Sequence, residues 1–510
     1  MSNQGEKKGV SALDFFCIGF GAIVGVGWAV SINNWMVNSG GPVPAAVGYL
    51  LCLLIMVPFG LVYAELVPML PVAGGGSAFA YAAFGEKVSF LSGWAAFGAF
   101  VAIIPWEAIQ ITDVLGYLIP GLKVGKLYTI MESDIYLSTV IIGAIFSILL
   151  FLLNKRGLSS AASLQKILCV FLVGSAIIGA IAALVKGDTA NLQPLYDNSL
   201  KEVTHKSFMG GAFSIITAAA FFLAGFETIP QGVEEAGGDI KSVGKTVVLS
   251  VGLACVFYAI LLFCFGVGYK WEDFYQLENP AAANMFRMIY SGGAGTFLYW
   301  LITVGALAGL FTTWNGFFTA SANLLMAMGR SRMIPAFFAK QDKNGVAING
   351  LYLVLIISLA GPFLGANMID TVTCFSATAF VLSWMISSLS LLRLRKTMPH
   401  ANRPFKLATP IAWWAGIVGV LFFVCMLIPI TPFYVGSKAL IIFVVYIVIG
   451  IVLHLRRPEK SAQRPRAYEE HVRQPGPGRN AQDVIRYACA PQKTRGNRKN
   501  RLLSERIACT

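Results

Sequence analysis

Apolar runs of about 20 residues, each able to cross a bilayer core of about 30 Å, recur along most of this chain. Twelve are predicted as membrane helices: 11–32, 41–68, 90–119, 135–153, 161–185, 208–232, 246–269, 291–327, 348–364, 368–391, 411–429 and 435–454. The third and eighth are longer than a bilayer requires, so they are expected to tilt or to extend past the membrane. After about Pro458 the apolar periodicity stops.

Two spans depart from the pattern. The first contains Gly19-Phe-Gly-Ala-Ile-Val-Gly-Val-Gly27, four glycines in nine residues. Gly in a helix interior costs about 1 kcal/mol relative to Ala and lets a backbone approach closely. One reading is a helix unwound at membrane depth, tolerated only where it lines a cavity or is buried in protein. Its bare N–H groups would then hold an anionic group. The other reading is close helix–helix packing through small residues. The sixth span reads Ala220-Phe-Phe-Leu-Ala-Gly-Phe-Glu-Thr-Ile-Pro230, followed by Gln231-Gly232 and Glu234-Glu235. Gly225, Glu227 and Pro230 interrupt that helix in mid-membrane.

Paired breaks in corresponding segments of two halves point to a transporter site. Spans one and six are five apart, which fits two five-helix repeats, and an odd number of spans per repeat inverts their topology. The expected fold class is an all-α membrane protein of twelve transmembrane helices, a five-plus-five inverted repeat with two extra helices. Its expected divisions are a cytoplasmic N-terminus (1–10), a first repeat (11–185), a second, inverted repeat (208–391), helices eleven and twelve (411–454) and a basic cytoplasmic tail (455–510).

Composition excludes a soluble enzyme. The 510 residues are 56% hydrophobic and 13% charged, with mean hydropathy +0.69, too little polar surface to cover a water-soluble fold. The first apolar run lacks a signal-peptide cleavage pattern. Cys17, Cys52, Cys169, Cys255, Cys264, Cys374 and Cys425 lie in apolar runs without ligand spacing and read as small buried hydrophobes. Net charge is +14, but residues 456–510 hold 14 Lys or Arg against five Asp or Glu. The basic excess is mainly the tail's, not that of a nucleic-acid surface. The tail is expected to be disordered, with attraction to anionic lipid as the functional alternative. Basic residues also orient the chain. Lys7 and Lys8 precede span one, and Lys155-Arg156, Arg330, Arg332, Lys340, Lys343, Arg393, Arg395, Lys396, Arg403 and Lys406 follow even-numbered spans. The positive-inside rule then puts both termini in the cytoplasm of a multi-pass cell-membrane protein.

The ordered motifs resemble the amino acid–polyamine–organocation permeases from about residue 11 to 455. They are Gly25-Val-Gly27, Gly40-Gly41-Pro42, Glu65-Leu-Val-Pro-Met-Leu-Pro-Val-Ala-Gly-Gly-Gly-Ser-Ala-Phe-Ala-Tyr81, Gly225-Phe-Glu227 with Glu234-Glu235, Ala327-Met-Gly-Arg330 with Ile334-Pro335, and Arg403-Pro-Phe-Lys406. The resemblance implies alternating access around broken helices one and six. It implies a substrate carboxylate held by N–H groups at Ile23 to Gly27, through Gly25, Val26 and Gly27. It implies an ammonium at carbonyls near Phe222 to Gly225, including Ala224. Two residues depart from the family. Val26 replaces a small polar residue common in relatives, so no side-chain hydroxyl is expected there. Lys166 is the only lysine of span five and sits near its cytoplasmic end. It either snorkels to the interface or stands in for the coupling cation of relatives.

Ionisable groups inside spans are functional candidates because inserting them costs about 2.5–3.5 kcal/mol. Glu107, midway along span three, falls where relatives point a polar side chain at the substrate. It reads as a counter-charge for an ammonium, as a proton carrier, or as a buried acid bonded to a neighbouring helix. Glu227 is the coupling position of relatives, or else it caps its own break. Glu65 and Asp113 lie nearer helix ends, where partial solvation is expected. Phe221 or Phe222 is placed to close over the substrate. Trp314 and Ser376 are weaker candidates for an inner gate and a contact. The histidines pair with no nucleophile in a span and no Walker A motif is present, so neither enzymatic chemistry nor a cofactor is expected. The expected function is secondary active transport of an amino acid across the cell membrane, with proton coupling or exchange left open. A polyamine or other amine importer and a non-transporting amino-acid sensor remain as alternatives. Oligomeric state is open.

Overall fold

The computed structural model describes residues 9–456, apart from 120, 200–202, 204–205, 275 and 366–367. The expected tail, most of the cytoplasmic N-terminus, and His205 and His471 lie outside the described residues. The first span is α1 (Ala12–Ile23), α2 (Gly27–Val30) and α3 (Ile32–Ser39). Ser11 starts it with a capping box: its hydroxyl accepts from Asp14 N at 3.2 Å while the Asp14 carboxylate accepts from Ser11 N at 3.1 Å. There follow α4 (Pro42–Met69), α5 (Gly76–Phe84), α6 (Glu86–Leu118), α7 (Leu137–Asn154) and α8 (Leu158–Lys186). Then come α9 (Phe208–Phe222), α10 (Thr228–Gln231), α11 (Ile240–Gly268), α12 (Trp271–Phe274) and α13 (Ala281–Ile289). The chain continues through α14 (Gly292–Arg330), α15 (Ile348–Ala360), α16 (Ile369–Thr397), α17 (Thr409–Leu427) and α18 (Ser437–Leu455).

Ten segments among the described residues are long and apolar enough to cross a membrane, from Ala12–Val30 to Ser437–Leu455. Two of the twelve predicted spans are shorter. Phe208–Phe222 is cut by the break after Phe222, and Ile348–Phe363 tightens at Gly361-Pro362, where Pro supplies no N–H for the ladder. Burial sorts the helices. The segments Ala12–Val30 and Thr371–Thr397 are each 83% buried across their apolar windows, whereas Ser437–Leu455 is 17% buried. The centre is therefore α1, α6 and α16, with α14 packed against α6 and α8 and α4 packed along α11. At the periphery α7, α17 and α18 turn Ile145, Ile417 and Val445 outward.

The fold is all-helical, as expected, with one short exception. Between α6 and α7 lies an antiparallel hairpin, β1 (Lys126–Ile130) and β2 (Ser133–Tyr136). Its two-residue turn, Met131-Glu132, has φ of 46° and 63°, the left-handed pair that matches strand twist. Tyr128 Oη donates to Phe363 O at 2.9 Å and holds the hairpin to the end of the ninth span. One expectation is corrected here: Glu65 is fully buried rather than part-solvated. Its carboxylate accepts from Arg395 and from Leu407 N (2.7 Å), and the Arg403 guanidinium lies 3.2 Å away. Two cations and a backbone donor replace the water that a helix end would have supplied.

Candidate functional site

The glycine-rich segment is interrupted. α1 ends at Ile23; Val24 N donates to Phe20 O (2.8 Å) and Gly25 N to Ile23 O (3.1 Å). The N–H groups of Val26, Gly27 and Trp28 meet no acceptor among the described residues. The predicted donor run at Ile23 to Gly27 is therefore shifted, because Ile23 and Val24 still belong to the α1 ladder and Gly25 is spent on a tight turn. Close approach explains the glycines. A Cβ at Gly25 would lie 2.6 Å from Thr313 Oγ1, and one at Gly27 would lie 2.8 Å from the Phe222 ring.

The second interruption is built differently. Between α9 and α10, Gly225 takes φ +142°, a conformation open to Gly. A Cβ there would lie 2.7 Å from Ala22 C and Ile23 N, so the two breaks touch. Glu227, 3% exposed, folds back on its own break. Its Oε2 accepts from Gly225 N at 2.7 Å, and its Oε1 accepts from Trp384 Nε1 on α16. The Gly225 carbonyl accepts from Thr228 N (3.0 Å) and Thr228 Oγ1 (2.6 Å), and Phe222 O lies 3.4 Å from Tyr258 Oη. The carbonyls of Leu223 and Ala224 have no donor among the described residues. These two, rather than Phe222 and Gly225, are the free acceptors.

Both breaks open on one small cavity of about 20 Å³. Ile23, Gly25, Val26 and Gly27 line it from α1 and α2, and Phe221, Phe222 and Ala224 from α9 and its end. Glu107 enters from α6 with Trp106 and Ile103, and Thr313 and Phe317 close it from α14. Glu107 is 1% exposed and its Oε2 has no hydrogen-bond partner among the described residues. An unpartnered carboxyl in a buried site calls for a companion cation or proton. The volume suits one water rather than an amino acid, so the rings have to part for a larger ligand. Trp106 and Phe222 also line a vestibule of about 650 Å³ with Asn34, Gln110, Asp113 and Thr217. They form the partition between the two spaces. The vestibule shares Asp113 with the cleft under the hairpin, so it opens on the hairpin face.

The opposite face is tied shut. Val10 pairs with Ala236 through Val10 N to Glu235 O (2.9 Å) and Gly237 N to Val10 O (3.0 Å). Glu234 accepts from Ala73 N (3.0 Å) and from Arg330 (2.8 Å), and Gln231 accepts from Gly74 N (3.1 Å).

Other candidates fall outside the cavity. Lys166 Nζ sits 2.7 Å from Asp14 Oδ1 at the start of α1. Its neighbour Gln165 is buried instead, donating to Thr312 O (2.9 Å) and accepting from Asn315 Nδ2 (2.8 Å). Trp314 is fully buried and stacked on Phe311 at 6.4 Å. Ser376 donates to Ala99 O at 2.9 Å. Neither lines the cavity: Trp314 stacks along its own helix, and Ser376 turns to the α6 backbone. Two residues not singled out in the sequence join the breaks. Tyr258 Oη is 3.1 Å from Ile23 O as well as 3.4 Å from Phe222 O, so it spans both helix ends. Trp384 holds Glu227. A polar aromatic in mid-span was the available signal for each.

The amino acid permease family matches residues 10–455. The chain belongs to that family. It is an amino acid transporter and a multi-pass membrane protein. The permease is 26% identical to an aspartate-proton symporter of Bacillus subtilis (strain 168), over 80% of this chain and 77% of the relative. It is 25% identical to the branched-chain amino acid permease BcaP of Lactococcus lactis subsp. cremoris (strain MG1363), over 86% and 93%. It is 22% identical to the arginine/ornithine antiporter ArcD1 of the same Lactococcus strain, over 69% and 68%.

Proposed function

We propose that this permease is a secondary transporter that binds an amino acid between its two broken helices and releases it by alternating access. The α-carboxylate meets the N–H groups of Val26, Gly27 and Trp28. The ammonium meets the carbonyls of Leu223 and Ala224, with Glu107 as its counter-charge. Trp106 and Phe222 part to admit substrate from the vestibule and close over it, while the ties at Glu234 and Gln231 release on the opposite face.

The observation that carries this reading is complementarity: unspent donors on one helix end and unspent acceptors on the other share one cavity with one carboxyl. Counting the interrupted sixth span and the short ninth, the chain crosses the membrane twelve times, in two inverted five-helix repeats followed by α17 and α18. The basic connections put both termini in the cytoplasm. The vestibule then faces outward. Glu107 also serves as the proton site if transport is proton-coupled, as the named symporter relative is; exchange is the other mode found among the relatives.

The test is uptake of a panel of labelled amino acids into proteoliposomes, with and without a pH gradient. Accumulation of at least one amino acid above protein-free liposomes is expected. Binding without accumulation would make the protein a sensor instead. Accumulation of polyamines alone, abolished by Glu107→Gln, would make it an amine importer.

A further inference from the structure

A second recess, which shares no lining residue with the substrate cavity, lies where α16 ends and α17 begins. It has a volume of about 330 Å³ and is lined by Arg395, Lys396, Arg403, Lys406, Thr409 and Trp413, among others. Its floor is fixed. Arg395 and Arg403 are committed to Glu65, and Arg403 also donates to the carbonyls of Met398 (2.9 Å) and Leu394 (3.0 Å). Its rim is not. Lys396 and Lys406 are exposed, and neither ammonium has an acidic partner among the described residues. Four cations against one carboxylate leave the recess strongly positive.

What lies beside the rim suggests the ligand. Trp413, Ile417 and Leu421 follow at four-residue spacing on α17 and are 49%, 50% and 57% exposed. Four-residue spacing places them on one helix face. An apolar stripe therefore runs from the recess along a membrane helix whose outer surface meets lipid. Trp at such a boundary matches the headgroup level of a bilayer. A basic pocket continuous with an apolar stripe fits a phosphate that carries an acyl chain.

We propose that this recess binds the phosphate of an anionic phospholipid headgroup between Lys396 and Lys406, with an acyl chain on the Trp413–Leu421 stripe. Free inorganic phosphate shares the headgroup chemistry but cannot use the stripe. The site is independent of the substrate cavity.

The test is native mass spectrometry of the full-length protein titrated with phosphatidylglycerol, with phosphatidylcholine as the neutral control and inorganic phosphate as competitor. Wild type is expected to retain phosphatidylglycerol over phosphatidylcholine. Lys396→Gln/Lys406→Gln should weaken that binding by about thirtyfold. Lys396→Arg/Lys406→Arg should restore it. Lys340→Gln/Lys343→Gln, which removes two exposed charges from another connection, should leave it unchanged. Equal retention by the first variant, or equal loss in the Lys340/Lys343 control, would overturn the site. Displacement of the lipid by millimolar inorganic phosphate would overturn the lipid assignment in favour of a free-phosphate site.

Discussion

The two broken helices reach similar ends by opposite means. At the first break, glycine removes side chains so that Thr313 and Phe222 come close, and the donors of Val26, Gly27 and Trp28 are left unspent. At the second, a carboxylate fills the gap: Glu227 takes the Gly225 donor and the Trp384 indole, and the acceptors of Leu223 and Ala224 are left over. One break thus offers N–H groups and the other C=O groups. A zwitterion has the complementary pair, which is why the contrast matters for function.

Removing the carboxylate should disturb the comparison most. Glu227→Ala leaves Gly225 N–H and Trp384 Nε1–H buried without an acceptor, at about 1–3 kcal/mol each. A marked fall in melting temperature is expected, with Glu227→Gln intermediate because it keeps one acceptor oxygen. Equal melting of Glu227→Ala and wild type would mean that the second break does not depend on its cap. Gly25→Leu attacks the other side. The added side chain meets Thr313 and fills the cavity, so amino-acid affinity should drop by about 100-fold or more while the protein still inserts and elutes as wild type does. Unchanged affinity would reduce the glycines to packing.

Glu107→Gln keeps shape and removes charge. Loss of a buried counter-charge predicts an affinity about 30-fold weaker, together with a flatter pH dependence of uptake. An unaltered pH profile would take proton coupling away from Glu107. The smallest effect belongs to Tyr258→Phe, which deletes one shared hydroxyl between Ile23 O and Phe222 O. About 1 kcal/mol is expected, read as an affinity change of fivefold or less by isothermal titration.

Which features were legible in the sequence follows from their range. Gly25 and Gly225 act on the helix they sit in, so both interruptions leave a signal in the text, although the glycines of span one fit close packing as well. Glu107 stands out because a charge in an apolar run has no neighbours to excuse it. The partners are another matter. Glu65 meets Arg395 and Arg403, more than 300 positions away, only because α4 and α16 end together. Tyr258 and Trp384 look like ordinary span aromatics until packing aims their polar atoms at the breaks. Trp314 and Ser376 show the converse: suitable residue types whose side chains turn away from the cavity, to Phe311 and to Ala99 O. The hairpin at Lys126–Tyr136 escaped notice because its strands of five and four residues lie in a connection and, at Ile135 and Tyr136, merge with the apolar start of the predicted fourth span.

The account rests on complementary backbone groups receiving both ends of an amino acid. The most direct measurement is calorimetric affinity for the best-bound L-amino acid, for the amine left when its carboxylate is removed, and for the 2-hydroxy acid that lacks its ammonium. Both truncated ligands are predicted to bind at least about 100-fold more weakly. An amine that binds as tightly as the parent amino acid would contradict the N–H cradle at Val26–Trp28, and with it the role assigned to the first break.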